Sequence, residues 1–186
     1  VIGFTQQVTL TEYPTKSVVP LPMYVFISTF ETGNLQEWQG KGDFISQGSG
    51  SYEITNNISY SGSYSAALTI DTEKYSPTGS HASYLFYWVD LPGMEYYYSA
   101  WYYIPSVITP GSWWNIWQWK ATDDGNSDDS VPMYVIGVQL YDGVAKLNLS
   151  FRPDSENAKI FYEDNNLPVP LDQWFHIEAF YRKVID

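Results

Sequence analysis

Gln118 and Lys120 stand two residues apart, and His176, Glu178 and Arg182 follow at intervals of two and four. On an extended strand, residues two apart project from one face, so each set would share a side of a sheet. Amide, carboxylate, ammonium and guanidinium groups on one face can exchange hydrogen bonds with the hydroxyls of a sugar. Trp114 has the same parity as Gln118 and offers a flat ring on which a pyranose could stack. The competing reading is a solvated outer sheet whose charges only keep the protein soluble. Asp123, Asp124, Asp128 and Asp129 put four carboxylates in seven residues, a set of hard oxygen ligands for calcium. Their spacing does not match an EF-hand loop, and a solvated acidic loop explains them better. Two glycosylation-type triplets, Asn57-Ile58-Ser59 and Asn148-Leu149-Ser150, carry little weight, since such triplets arise often by chance.

The elements that must hold these residues are short strands. Apolar and β-branched runs recur at Tyr24–Phe30, Phe44–Ile45, Tyr52–Thr55, Tyr64–Ile70, Ala82–Val89, Tyr96–Ile104 and Trp113–Lys120. Tyr134–Leu140, Ala145–Phe151, Lys159–Tyr162 and Trp174–Val184 continue the series, with Gly, Pro, Asn, Asp and Ser in the gaps. Many short strands without a helical period predict an all-β sandwich or barrel. In the last run Phe175, Ile177, Ala179 and Tyr181 alternate with His176, Glu178 and Arg182, which predicts one face on a core and one facing out. Leu147, Leu149 and Phe151 alternate likewise with Lys146, Asn148, Ser150 and Arg152. If Gln118 faces outward, Trp117 and Trp119 face the core. Tyr141-Asp142-Gly143 predicts a tight hairpin. Residues 1–22, punctuated by Pro14, Pro20 and Pro22, read as an extended arm or edge strand before a sandwich domain over 23–186.

Composition narrows the partners. The 186 residues suit one domain, and a net charge of −12 supplies no basic footprint for phosphate, which argues against nucleic acid. The same field disfavours anionic membranes and polyanionic glycans, so a neutral or weakly charged partner fits best. No run approaches the ~20 apolar residues of a membrane span. The absence of Cys excludes a disulfide framework and a thiolate metal site. Aromatic residues, at 18%, exceed what a core alone needs, although sheets favour them for their own sake.

Several segments together resemble a known group. Phe30-Glu31-Thr32-Gly33-Asn34-Leu35 with Trp38, and Tyr60-Ser61-Gly62-Ser63-Tyr64-Ser65-Ala66-Ala67-Leu68, resemble opening strands of carbohydrate-active jelly rolls. Tyr98–Pro105, Trp114-Asn115-Ile116-Trp117-Gln118-Trp119-Lys120 and Trp174-Phe175-His176-Ile177-Glu178 resemble concanavalin A-like polysaccharide lyases of the heparin lyase I type. The resemblance implies a β-jelly roll of two antiparallel sheets, one of them concave and forming a glycan groove. It also implies strands beyond the Trp174–Val184 run, so the last strands are expected to be missing from this chain or supplied by another segment.

Related lyases carry a Gln-x-His pair and an Arg-x-Glu pair in the groove. The Gln neutralises a uronate carboxylate, and the His, with a Tyr, moves the protons of β-elimination. Here the corresponding positions read Gln118-Trp119-Lys120 and His81-Ala82-Ser83. A lysine near its ordinary pKa is a poor base at neutral pH unless burial lowers it. The expectation is therefore non-catalytic polysaccharide binding by Trp114, Gln118, Lys120, His176, Glu178 and Arg182. The rival is a lyase that would use Gln118 and Lys120 with His81 or His176. A third reading is a structural protein that assembles by strand exchange through residues 1–22. A hydrolase is disfavoured, since no carboxylate pair stands out. The resemblance leaves room for a structural Ca²⁺ at Glu31, with no other cofactor required. The polysaccharide partner suggests a secreted or cell-surface setting, which no targeting signal in the chain supports.

Overall fold

The computed structural model describes residues 2–5, 26–40, 42–87, 95–106, 113–121, 131–151, 160–162 and 167–182. They form eleven strands and one 3₁₀ turn, an all-β architecture in which every ladder is antiparallel. The strands are β1 (Ile2–Thr5), β2 (Gly42–Gln47), β3 (Ser51–Thr55), β4 (Ser65–Thr69), β5 (Ala82–Tyr87) and β6 (Glu95–Tyr103). β7 (Trp113–Ala121), β8 (Val131–Tyr141), β9 (Val144–Phe151), β10 (Ile160–Tyr162) and β11 (Trp174–Arg182) complete the set. The chain divides into two compact units, Val1–Ile104 with Asp172–Asp186, and Pro105–Leu171.

The first unit holds a five-stranded sheet, ordered β11-β6-β1-β4-β3, and a two-stranded sheet, β2-β5. The resemblance implies two sheets; among the described residues hydrogen bonding makes three across the chain, because β2 and β5 pair only with each other. Ile2–Thr5 is an inner strand, paired with β4 on one side and β6 on the other within its own chain. Residues 6–25, which hold the rest of the predicted arm, lie outside the described residues.

The core of this unit gathers Phe26, Phe30, Trp38, Ala66 and Leu85, with Ile54, Leu68 and Tyr87 packed against it. The Phe26 ring stacks on Tyr87 at 4.4 Å and meets Trp38 edge-on at 4.8 Å. Phe26–Phe30, predicted as part of a strand, is instead irregular apart from one isolated bridge at Ile27. The reason is Glu37. Its carboxylate accepts the N–H groups of Thr29 (2.9 Å) and Phe30 (3.0 Å) and the Ser28 hydroxyl (2.5 Å), so these amides are not left for a ladder. Ser28 in turn accepts the buried Trp38 indole N–H at 2.9 Å.

The second unit is one sheet, ordered β10-β9-β8-β7. Asp142 (φ 50°) and Gly143 (φ 78°) both take left-handed backbone between β8 and β9, so the predicted Asp-Gly hairpin is present. Burial on β9 departs from the predicted alternation. Asn148 is buried at 7% exposure while Leu149 is 37% exposed. Gly137 lies directly across from Asn148, and a side chain there would come within 2.9 Å of the Asn148 amide oxygen. The missing side chain at Gly137 gives the amide its room.

Candidate functional site

The polar face of the second unit is built on β7. Its pairing with β8 runs Trp114↔Val138, Asn115↔Gly137, and then Trp117↔Ile136, so Ile116 is an extra residue in the ladder. A bulge of this kind reverses the parity of everything beyond it. Trp114, Trp117 and Trp119 therefore share a face with Val138, Ile136 and Tyr134, while Gln118 pairs with Val135 on the opposite face. Trp117 and Trp119 stack at 5.4 Å and are both half-buried. Trp114, grouped with Gln118 by simple alternation, is separated from it by the bulge. Its indole N–H is buried and without a hydrogen bond.

Gln118 and Lys120 are two apart on β7 and share a side by that strand's own alternation. The ladder shifts a second time between them, where Trp119 pairs with Tyr134 and Lys120 with Pro132, so that Met133 is extra on β8. That side of the sheet also carries Ser150, Asn148, Gln139, Lys146 and Tyr141, through the pairs Val135↔Ser150, Gly137↔Asn148, Gln139↔Lys146 and Tyr141↔Val144. The Tyr141 hydroxyl donates to the Gln139 side-chain oxygen at 3.0 Å, and the Lys146 ammonium sits 5.8 Å over the Tyr141 ring. Burial lowers the Lys120 pKa from the ordinary 10.5, because an ammonium removed from water is less easily kept charged. The face thus combines amides, a hydroxyl, a phenol and two amines. Sequence reasoning placed Lys146 outward, but did not link it to Tyr141 and Gln139, which required the register of β8 on β9.

His176, Glu178 and Arg182 lie in the first unit, on the exposed side of β11, as their parity predicted. Ile177, between His176 and Glu178, is buried. The His176 Nδ1 is 3.9 Å from Glu178, and Arg182 Nε is 3.0 Å from Glu95 on β6. The β6–β11 register sets Trp101 directly beside His176, and their rings stack at 4.6 Å. Tyr60, from the turn after β3, lies flat on Trp101 at 3.6 Å. Parity alone could not place Trp101. His81 is also in this unit, before β5, where its Nδ1 accepts the Ser49 N–H at 3.1 Å and meets the Ser49 hydroxyl at 2.8 Å. The predicted binding residues thus divide three and three between the units, and the two histidines share the first.

A family model described as polysaccharide lyase matches residues 30–182. The chain belongs to the polysaccharide lyase family. The resemblance seen in the strand motifs holds over 153 of its 186 residues, counted from 30 to 182 inclusive, and the domain is of the concanavalin A-like type. No curated protein and no solved structure matches the chain. Membership of the polysaccharide lyase family makes the function glycan-related and the partner a polysaccharide.

Glu31, the residue suggested for calcium, does other work. Its carboxylate accepts the N–H groups of Ser63 and Tyr64, each at 3.0 Å, and so closes the turn before β4. Among the described residues no group of three or more His, Cys, Asp or Glu side chains could hold a metal ion. The acidic run Asp123–Asp129 lies outside the described residues.

Proposed function

We propose that this member of the polysaccharide lyase family binds a neutral or weakly charged polysaccharide without cleaving it, in an extracellular setting. The observation that carries the reading is the polar face of β7–β9, where Gln118 and Lys120 share a side with Gln139 and Ser150. Amide and hydroxyl groups in a row along a strand match the repeat of hydroxyls along a glycan. The Gln-x-His pair of related lyases reads Gln118-Trp119-Lys120 here, which removes the imidazole from the position that moves the proton. Titration calorimetry against soluble polysaccharides tests this. Gln118→Ala should weaken binding roughly five- to tenfold, from a lost hydrogen bond of about 1 kcal/mol. Unchanged affinity would remove this face from the account.

One observation favours a second reading, that of a lyase. Burial lowers the Lys120 pKa and so brings its neutral amine closer to use as a base. In β-elimination that amine would take the proton beside the uronate carboxylate. The bond to the leaving oxygen would break, a carbon–carbon double bond would form, and the oxygen would be protonated by an acid such as a tyrosine. Absorbance from the unsaturated product, abolished by Lys120→Ala in a folded variant, would establish this reading over simple binding.

A further inference from the structure

The exposed side of β6 and β11 carries more ring surface than a solvated sheet requires. The register places Trp101 beside His176 and Tyr97 beside Phe180, whose rings lie 4.8 Å apart. Cross-strand pairing of aromatics accounts for those contacts by itself. It does not account for Tyr60, which comes from outside the two strands and is delivered by a turn with its own supports. The Glu31 carboxylate holds the N–H groups of Ser63 and Tyr64. Gly62 takes φ +69°, and a side chain there would run into Glu31. The Ser59 hydroxyl donates to the Gly62 carbonyl at 3.1 Å, and the Ser65 hydroxyl to the Ile58 carbonyl at 2.5 Å. Pinned in this way, the turn lays Tyr60 on Trp101 and leaves it 49% exposed, the same exposure as Phe180. Trp174 meets Tyr60 edge-on at 6.0 Å.

On this strip Arg182 pairs with Glu95, and the His176 ring lies 3.9 Å from the Glu178 carboxylate, within a chain of net charge −12. A surface of flat rings whose arginine is already paired complements an uncharged, amphipathic ligand better than a polyanion. The eight steps between the nine residues of β11 give a strip about 26 Å long at ~3.3 Å per residue, enough for several sugar units.

We propose that this strip is a second glycan-binding surface, distinct from the Gln118–Lys120 face, on which Tyr60 and Phe180 stack against the apolar faces of neutral pyranose residues. Glu178 and Arg182, both largely exposed, bond the sugar hydroxyls at its edge. The proposal rests on the glycan reading above and adds a ligand class and a second site.

Affinity electrophoresis of the full chain in gels containing soluble β-glucan, galactomannan or xylan tests it. The Tyr60→Ala/Phe180→Ala variant should lose about tenfold in affinity for the retarding polysaccharide, and Tyr60→Phe should keep wild-type retardation. Circular dichroism and melting of the variants confirm that the loss is not one of folding. Unchanged retardation in the double variant, with Gln118→Ala still weakening binding, would overturn the second surface and leave the first. Retardation by polyanions alone would also overturn it. So would a concentration-dependent dimer, in sedimentation, that the double variant abolishes, because the strip would then be an interface between copies. Absence of retardation by any polysaccharide would overturn both readings.

Discussion

Two glutamates, Glu31 and Glu37, do structural work as acceptors of backbone amides. Burial alone would raise the Glu37 pKa, but the Ser28 hydroxyl, the Phe30 and Thr29 amides and the Thr29 hydroxyl outweigh it and hold the group below 4.5. Since the unfolded chain binds more protons between the folded value and 4.5, this contribution is fully present above pH 4.5. It is lost as pH falls through the lowered value. Glu37→Ala should cost about 1–2 kcal/mol in urea unfolding at pH 7, toward the low end because the carboxylate keeps contact with water. The gap between variant and wild type should narrow at pH 3. A gap that widened with acid would contradict the role given to Glu37. Lys120 makes an opposite kind of prediction. Its side-chain nitrogen, followed by NMR, should titrate below 10.5, and any elimination activity should rise with pH through that midpoint, because the neutral amine is the base. A midpoint at or above 10.5 would remove the observation that favours the lyase. The sequence singled out Glu31 and Lys120 as residues with work to do. It did not reveal the work of Glu31, because a glutamate that closes a turn and one that holds a cation look alike until the donors opposite them are placed.

At the scale of elements, most strands were legible and some faces were not. Ten of the eleven strands overlap runs marked by β-favouring residues and turn residues, and β11 buries Ile177 while exposing His176 and Glu178 as alternation requires. The Ile116 bulge was not legible, because period-two alternation carries no mark of an inserted residue. That one residue moves Trp114 away from Gln118 and toward Trp117. Deleting Ile116 leaves Trp114, Asn115, Trp117 and Gln118 in plain alternation opposite Val138, Gly137, Ile136 and Val135, so both faces of β7 are kept. The deletion variant should lose no more than about 1–2 kcal/mol in urea unfolding and should retain glycan binding. A much larger loss, or loss of binding, would mean that the bulge itself is needed to hold the faces of β7. Asn148 teaches a related lesson. Its burial depends on Gly137 across the ladder, a pairing that only the register discloses.

For the whole molecule, family membership and charge point in one direction. A chain at −12 that engages polysaccharide through amides, rings and paired charges should bind with little dependence on salt, since screening acts on unpaired charge. Affinity should change less than about threefold between 50 and 500 mM NaCl; a steep fall would mean that Lys120 and Lys146 read a polyanion. Motif order disclosed the family without any structure. What composition and motif order cannot decide is whether a polysaccharide leaves the site intact. One incubation addresses that directly: soluble neutral and uronate-containing polysaccharides, read together for gel retardation and for absorbance of an unsaturated product. Retardation with no rise in absorbance is the predicted result. Absorbance that grows with time and disappears in Lys120→Ala would contradict binding without cleavage and make this chain a working lyase.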